Sequence, residues 1–224
     1  MKKVVFCIFL FCKISFFYAQ KDSLKLGDTY ADDQIYASIS YAQLSNQPSI
    51  ISKSGFSFAF STGFMKDIIL NARGNISIGI GVGYGYDYFN HNLKVEEIYN
   101  STVFGDGSNI NSNVFKSHNI EFPFEFRLRT SNAIKYDFWR IYTGVKFLYN
   151  FSNTFRFEEN DTQFSYSNVS GYNKLQYGIT FSAGYDVVNF YVFYNLTPIF
   201  KDSKINSENI DTSILKFGLI FYIL

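Results

Sequence analysis

The sequence has little of several features that would place it in a common class of protein. Its 224 residues include two cysteines, three prolines and one tryptophan, and only 17% of them are charged. Usual soluble domains carry roughly 25% charged residues. Low charge combined with 47% hydrophobic residues excludes intrinsic disorder. The formal net charge of +1 supplies no field for phosphates, so nucleic acid is not an expected partner.

Long apolar runs are also missing. A membrane-spanning helix needs about 20 apolar residues, and the N-terminal run Val4–Leu10 is much shorter. Because Lys2 and Lys3 precede this run and Ala19 suits the residue before a cut, residues 1–19 are predicted to be a cleaved signal peptide. Both cysteines lie inside that segment, so the mature chain would have neither a disulfide nor thiolate chemistry.

What the sequence has in abundance is alternation of apolar and small polar residues. From Ile76 to Tyr88 every second residue is Ile, Val or Tyr, and glycine, serine or aspartate stands between them. A period of two is typical of a β-strand, whereas a helix would mix the two sets. The same alternation predicts seven more strands, at 34–41, 56–64, 119–129, 139–152, 175–186, 189–197 and 215–223.

The number, length and connections of these strands favour a membrane barrel. Most of the segments are about as long as the 9–11 residues of a transmembrane strand, whereas soluble strands usually have about 5–6. Short links follow the second, fourth and sixth strands, and long polar links follow the others, as in outer-membrane barrels. We therefore predict an all-β protein, an eight-stranded antiparallel up-and-down transmembrane β-barrel at 33–224. Residues 20–32 would be a short periplasmic segment, and both termini would be periplasmic.

Side-chain volume predicts which face points outward. The interior of an eight-stranded barrel is only wide enough for side chains to fill, so the bulky Phe, Tyr, Ile and Leu faces should contact lipid. The glycines between Gly79 and Gly85 would then leave room for long charged side chains of the fourth predicted strand. We predict a salt-bridged plug rather than a conducting pore, formed by Asp87, Glu121, Glu125, Arg127, Arg129, Arg140, Lys146, Asp186 and Lys216.

No pattern predicts a catalytic, metal or cofactor site, and each candidate has a structural interpretation. The glycines at 79–85 are spaced by two within a strand, with no helix following to bind a phosphate. Glu121 and Glu125 would be about 13 Å apart along a strand, beyond the separation of glycosidase pairs. His91 and His118, with Ser117, leave open a lipid-modifying enzyme at the barrel rim, although alternation points His91 inward and His118 outward. Pro123 is predicted to mark a bulge.

Several segments resemble a known family. IEFPFEFRLRT at 120–130, FWRIYTGVKFLYNFS at 138–152, NKLQYGITFSAGYD at 173–186, LTPIFKD at 196–202 and KFGLIFYIL at 216–224 are similar to the PorT family of outer-membrane β-barrels from Bacteroidetes. The resemblance implies a non-enzymatic accessory of type IX protein secretion and gliding, with no catalytic residue. Its expected partners are outer-membrane lipid, other secretion components and the barrel-insertion machinery. The alternative is a narrow porin or a structural barrel of the OmpA or OmpX kind.

Overall fold

The computed structural model describes residues 32–48, 55–107, 110–130, 139–201, 203–205 and 208–223. The predicted signal peptide at 1–19, and all but the last residue of the predicted periplasmic segment at 20–32, lie outside these residues. Within them, no helix is long and apolar enough to cross a membrane. The strands are β1 Gln34–Ser45, β2 Phe58–Ile69, β3 Ile76–Asn90, β4 Leu93–Ile98, β5 Ser101–Asp106, β6 Ser112–Arg129, β7 Trp139–Glu159, β8 Thr162–Ser167, β9 Leu175–Tyr185, β10 Val188–Asn195, β11 Lys204–Ile205, β12 Glu208–Asn209 and β13 Ser213–Ile223.

Eight of these strands close into an antiparallel barrel. Their order around the wall is β6-β3-β2-β1-β13-β10-β9-β7, and β7 pairs with β6 to complete the circle. The first and last strands meet along their whole length, from Ile35 opposite Ile223 to Ser45 opposite Ser213. A closed wall leaves no backbone edge unpaired, which lipid requires because it offers no hydrogen-bond partner. The predicted eight-stranded fold is confirmed.

The two ends of the barrel differ. One end, called the turn end here, carries the tight connections at 70–75 and 186–187. The other, called the cap end, carries the hairpins β4–β5 and β11–β12, and β8, which pairs with the last residues of β7. The predicted long links at 94–116 and 156–173 are therefore partly strand, since β6 and β7 extend to 18 and 21 residues.

The alternation of apolar and polar residues continues into the cap end, but there the apolar residues face inward. In the wall, outward residues such as Phe122 are apolar and inward residues such as Glu121 are polar. Above it, Phe89, Phe115 and Phe155 point inward and are at most 1% exposed. Water replaces lipid outside, so the apolar side chains turn inward as in a soluble protein. They belong to a cap core of Ala42, Leu44, Ala59, Phe89, Leu93, Val95, Phe115, Phe155, Val169, Tyr172, Ile199, Phe200, Ile205, Ile210 and Ile214.

The predicted bulge at Pro123 is wrong. Pro123 pairs in register with Lys146 of β7, and the register shift between β6 and β7 lies at His118 and Asn119 instead. On the β3 side the ladder omits the pairs at 122 and 123 but keeps the same register on both sides. Proline has no N–H to donate, so it interrupts the hydrogen bonds without inserting an extra residue.

Candidate functional site

The outer wall carries a continuous apolar surface. Phe122, Phe124 and Phe126 on β6 are each more than 40% exposed, and exposed apolar residues on other wall strands continue this surface, among them Ile39 on β1, Phe60 on β2 and Ile179 on β9. Near the turn end, Trp139 and Tyr185 pack edge to face with their ring centroids 5.6 Å apart. Aromatic residues also ring the wall near the cap end, as expected for the interfaces of a bilayer. Such a surface is stable only when lipid covers it.

The lumen is filled by three layers of buried charge, the first of which lies below the cap. Lys216 Nζ is 2.5 Å from Asp87 Oδ1. Ser117 Oγ and Asn119 Nδ2 each donate a hydrogen bond to Asp87 Oδ2 at 3.1 Å. All four residues are at most 3% exposed, so the ion pair has no contact with solvent. The neutral donors Ser117 and Asn119 satisfy the second carboxylate oxygen of Asp87.

The second layer crosses the middle of the barrel. Lys146 Nζ lies 2.7 Å from Glu121 Oε2. Ser61 Oγ donates to the other carboxylate oxygen at 3.0 Å, and the Tyr36 hydroxyl donates to Oε2 at 3.3 Å. Tyr191 and Phe193 of β10 also point inward, with Lys146 Nζ 5.2 Å and 5.9 Å from their ring centroids. Aromatic rings and an ion pair thus share the cross-section.

The third layer lies at the turn end and links three arginines to three carboxylates. Two of these carboxylates, Asp32 and Asp67, were not among the predicted lumen residues. The nitrogen–oxygen distances are 3.1 Å for Arg127–Glu125, 3.3 Å for Arg127–Asp67, 2.9 Å for Arg129–Asp67, 3.3 Å for Arg129–Asp32 and 3.6 Å for Arg140–Asp32. A chain of shared carboxylates neutralises all three guanidinium groups at once.

The buried charges balance. Within the described residues, the three layers hold five acids and five bases, namely Asp32, Asp67, Asp87, Glu121, Glu125, Arg127, Arg129, Arg140, Lys146 and Lys216. Asp67 lies in the short link after the second predicted strand, and Asp32 lies in the predicted periplasmic segment. Both continue the inward parity of β2 and β1, which is the signal that would have found them.

Glycines in β3 make room for this network. A Cβ at position 79 would collide with the Arg127 guanidinium, and a Cβ at position 85 would collide with the Glu121 carboxylate. The predicted role of these glycines, to accommodate long side chains from the neighbouring strand, agrees with this geometry. A side chain at either position would force the charged group of Arg127 or Glu121 to shift.

The cap closes over the mouth of the lumen. Phe104 of β5 packs edge to face on Phe200, with ring centroids 4.8 Å apart. Thr102 Oγ1 donates to Glu97 at 2.8 Å and accepts a hydrogen bond from the Gly171 N–H at 2.7 Å. The β4–β5 hairpin is therefore fastened to the loop that precedes β9.

His91 is buried in the cap core, at the point where the chain leaves β3 for the hairpin. It is 2% exposed, and its ring packs edge to face on Phe115 and Phe155. The Leu93 N–H donates to Nδ1 at 3.3 Å. Burial lowers the pKa of His91 to about 3, because the apolar surroundings disfavour the charged ring.

The sequence of this capped, charge-filled barrel matches a family model described as "Outer membrane protein beta-barrel domain", over residues 18–201. The chain belongs to this family. As a member of the outer membrane protein β-barrel family, it is a protein of the outer membrane, in agreement with its apolar outer wall.

Among solved structures, the chain is similar to that of Ail, the attachment invasion locus protein of Yersinia pestis. The TM-score is 0.37 at 12% sequence identity, over 87% of this chain and 98% of that chain. No curated protein matches the sequence.

In this outer-membrane barrel, one predicted lumen residue is placed elsewhere. Asp186 was expected to face inward from a strand, but it occupies the turn between β9 and β10 with a φ of 52°. The prediction for Asp186 is wrong because β9 ends at Tyr185. Asp186 stands at the turn end, apart from the three layers.

The two histidines do not converge. His118 lies on the outer wall, where its Nδ1 is 2.6 Å from the Tyr84 hydroxyl, whereas His91 lies inside the cap. Ser117, on the other face of β6 from His118, donates to Asp87 in the lumen. No group of three or more His, Cys, Asp or Glu residues that could hold a metal ion occurs in the described part of the chain.

Proposed function

We propose that this outer-membrane barrel is a closed, non-enzymatic protein that presents its folded cap to partner proteins. The proposal rests on the filled lumen: paired charges and aromatic rings occupy its successive cross-sections. Above the lumen lies a cap with its own hydrophobic core.

The proposed partners are components of type IX protein secretion, as the similarity of the segments at 120–130 and 173–186 to the PorT family implies. The cap would then face the outside and both termini the periplasm, since longer connections are typical of the outer side. The exposed apolar tip of the β4–β5 hairpin, formed by Ile98, Tyr99 and Val103, is the proposed contact surface.

Two experiments test the proposal. In planar bilayers, the purified barrel should give no steady conductance, and a stable channel would favour the narrow porin instead. A strain lacking the protein should fail to export cargo with the system's C-terminal signals, and wild type should restore export.

Complementation with Ile98→Ser, Tyr99→Ser and Val103→Ser together tests the hairpin tip. Export should fall at least tenfold, while a matched Ser165→Ala, Ser167→Ala variant on β8 restores it. A shift in gel mobility on boiling verifies that both variants are folded. Normal export without the protein would instead favour a structural barrel of the OmpX kind.

A further inference from the structure

Two cations stand together on the outer wall where the apolar surface ends at the cap end. Lys116 of β6 is opposite Thr154 of β7, and Val114 is opposite Arg156. Opposed residues share a face of the sheet, so Lys116 and Arg156 are diagonal neighbours on the outside, close enough to contact one small ligand. Arg156 is exposed.

An aromatic cluster lies directly below these cations. His118 is one pair of residues closer to the apolar band than Lys116, and its ring centroid is 5.1 Å from that of Tyr86 and 6.1 Å from that of Phe151. Lys116 Nζ is 5.7 Å from the ring centroid of Tyr88. Below the cluster the wall continues with Ile120 and Phe122, which face lipid.

The distance from His118 to Lys116 matches the thickness of the polar region of a lipid leaflet. Two residues along a strand span about 6.5 Å, and less along the barrel axis because the strands are tilted. The polar region of a bilayer is roughly 6 Å thick on each side. With the aromatic cluster at the boundary of the hydrocarbon, Lys116 lies at the depth of lipid phosphates. Arg156 lies one pair of residues further out, a step that a long arginine side chain can span.

Neither cation is neutralised by the protein. Lys116 and Arg156 form no ion pair with any residue that the structure describes. The nearest acid on the same face of β7 is Glu158, one pair of residues further from the membrane, so it does not lie between the cations and the lipid.

The geometry points to a binding site for the phosphate group of a membrane lipid, formed by Lys116 and Arg156. Tyr88 lies beside Lys116, and Tyr86 and His118 lie one pair of residues closer to the apolar band. The guanidinium contacts two phosphate oxygens, the ammonium contacts a third, and the acyl chains lie along Ile120 and Phe122. The inference goes beyond the proposed function. It applies equally to a secretion component and to a structural barrel, because both have the same outer wall.

Native mass spectrometry of the folded barrel tests the site. The barrel in neutral detergent is titrated with lipid A, with chemically dephosphorylated lipid A, or with lipid A plus millimolar inorganic phosphate. Wild type should bind lipid A at least fivefold better than the dephosphorylated form, and inorganic phosphate should not compete. Equal binding of both lipids, or displacement by inorganic phosphate, would overturn the inference.

Variants identify the residues. Lys116→Ala with Arg156→Ala should lower lipid A binding at least fivefold, and the exchange Lys116→Arg with Arg156→Lys should keep it. Lys201→Ala with Lys204→Ala removes two exposed cations elsewhere on the cap and should leave binding unchanged. If both alanine pairs bind lipid A as wild type does, the assignment fails. Export and conductance play no part in this assay, so its outcome is independent of the proposed function.

Discussion

Lys146 Nζ and Glu121 Oε2 lie 2.7 Å apart near the middle of the barrel, in residues at most 4% exposed. Removing one member of such a pair leaves a buried charge without its partner, which costs about 3–5 kcal/mol. Glu121→Gln should therefore lower the free energy of unfolding by about that amount, measured by urea titration in lipid vesicles. Glu121→Gln combined with Lys146→Met should recover most of the loss. Glu158→Gln, on the outer face of β7 at the cap end, should change little. A Glu121→Gln barrel as stable as wild type would contradict the paired lumen.

Gly79 is a second position at which a larger side chain should lower the stability of the barrel. Gly79→Val should displace the Arg127 guanidinium from Glu125 and Asp67, because the new side chain occupies its position. Overpacking typically costs about 1–3 kcal/mol, and the broken ion pairs add to it. The matched control is Gly105→Ala in the cap, where the added Cβ meets ordinary contacts near 3.6 Å. Comparison of the two urea midpoints checks the prediction.

His91 should make closure of the cap depend on pH. The opened cap carries a histidine with its ordinary pKa of 6.5, and the closed cap has one of about 3. Between these values the opened cap binds a proton that the closed cap does not, so closure is fully stable above pH 6.5 and weakens as the pH falls toward 3. At pH 5 the loss is about 2 kcal/mol.

Amide hydrogen exchange of the β4–β5 hairpin measures this effect. Between pH 7 and pH 5, protection should fall in wild type after correction for the intrinsic exchange rate. His91→Asn keeps an acceptor for the Leu93 N–H but does not titrate, so its protection should fall less. His118→Asn, on the outer wall, should behave as wild type. An equal fall in all three proteins would assign the pH effect to other groups.

Thr102 fastens the hairpin to the cap. Thr102→Val keeps the shape of the side chain but removes the bonds to Glu97 and Gly171, leaving the Gly171 N–H without an acceptor. A lost bond of this kind costs about 1–3 kcal/mol. The hairpin should be cleaved by protease roughly tenfold faster, while Thr102→Ser should resemble wild type. Cleavage of Thr102→Val at the wild-type rate would show that the core contacts and the bonds from Ser170 to Glu97 and Asn100 hold the hairpin without Thr102.

Much of the wall follows from the sequence, and the errors have local causes. The strand predicted from Ile76 is β3, and the strand predicted from Leu175 is β9, one residue shorter. In the seventh predicted strand, 189–197, the inward residues include Tyr191 and Phe193, because aromatic rings pack beside Lys146 in the lumen there. The cap-end parts of β6 and β7 lie outside the predicted strands because the apolar residues change parity there: Ile120 and Phe151 face outward, whereas Phe115 and Phe155 face inward.

The sequence by itself determined the strand period, the number of wall strands and which face meets lipid, because alternation and side-chain volume are properties of neighbouring residues. Only the tertiary structure decided which charges meet. Asp32 reaches Arg129 and Arg140, and Asp67 reaches Arg127, because closing the sheet brings β1, β2, β6 and β7 around one narrow lumen. The turn placed Asp186 outside that network, since the end of a strand depends on where its partner turns back. Register and closure are relations between distant segments, and local alternation carries no information about them.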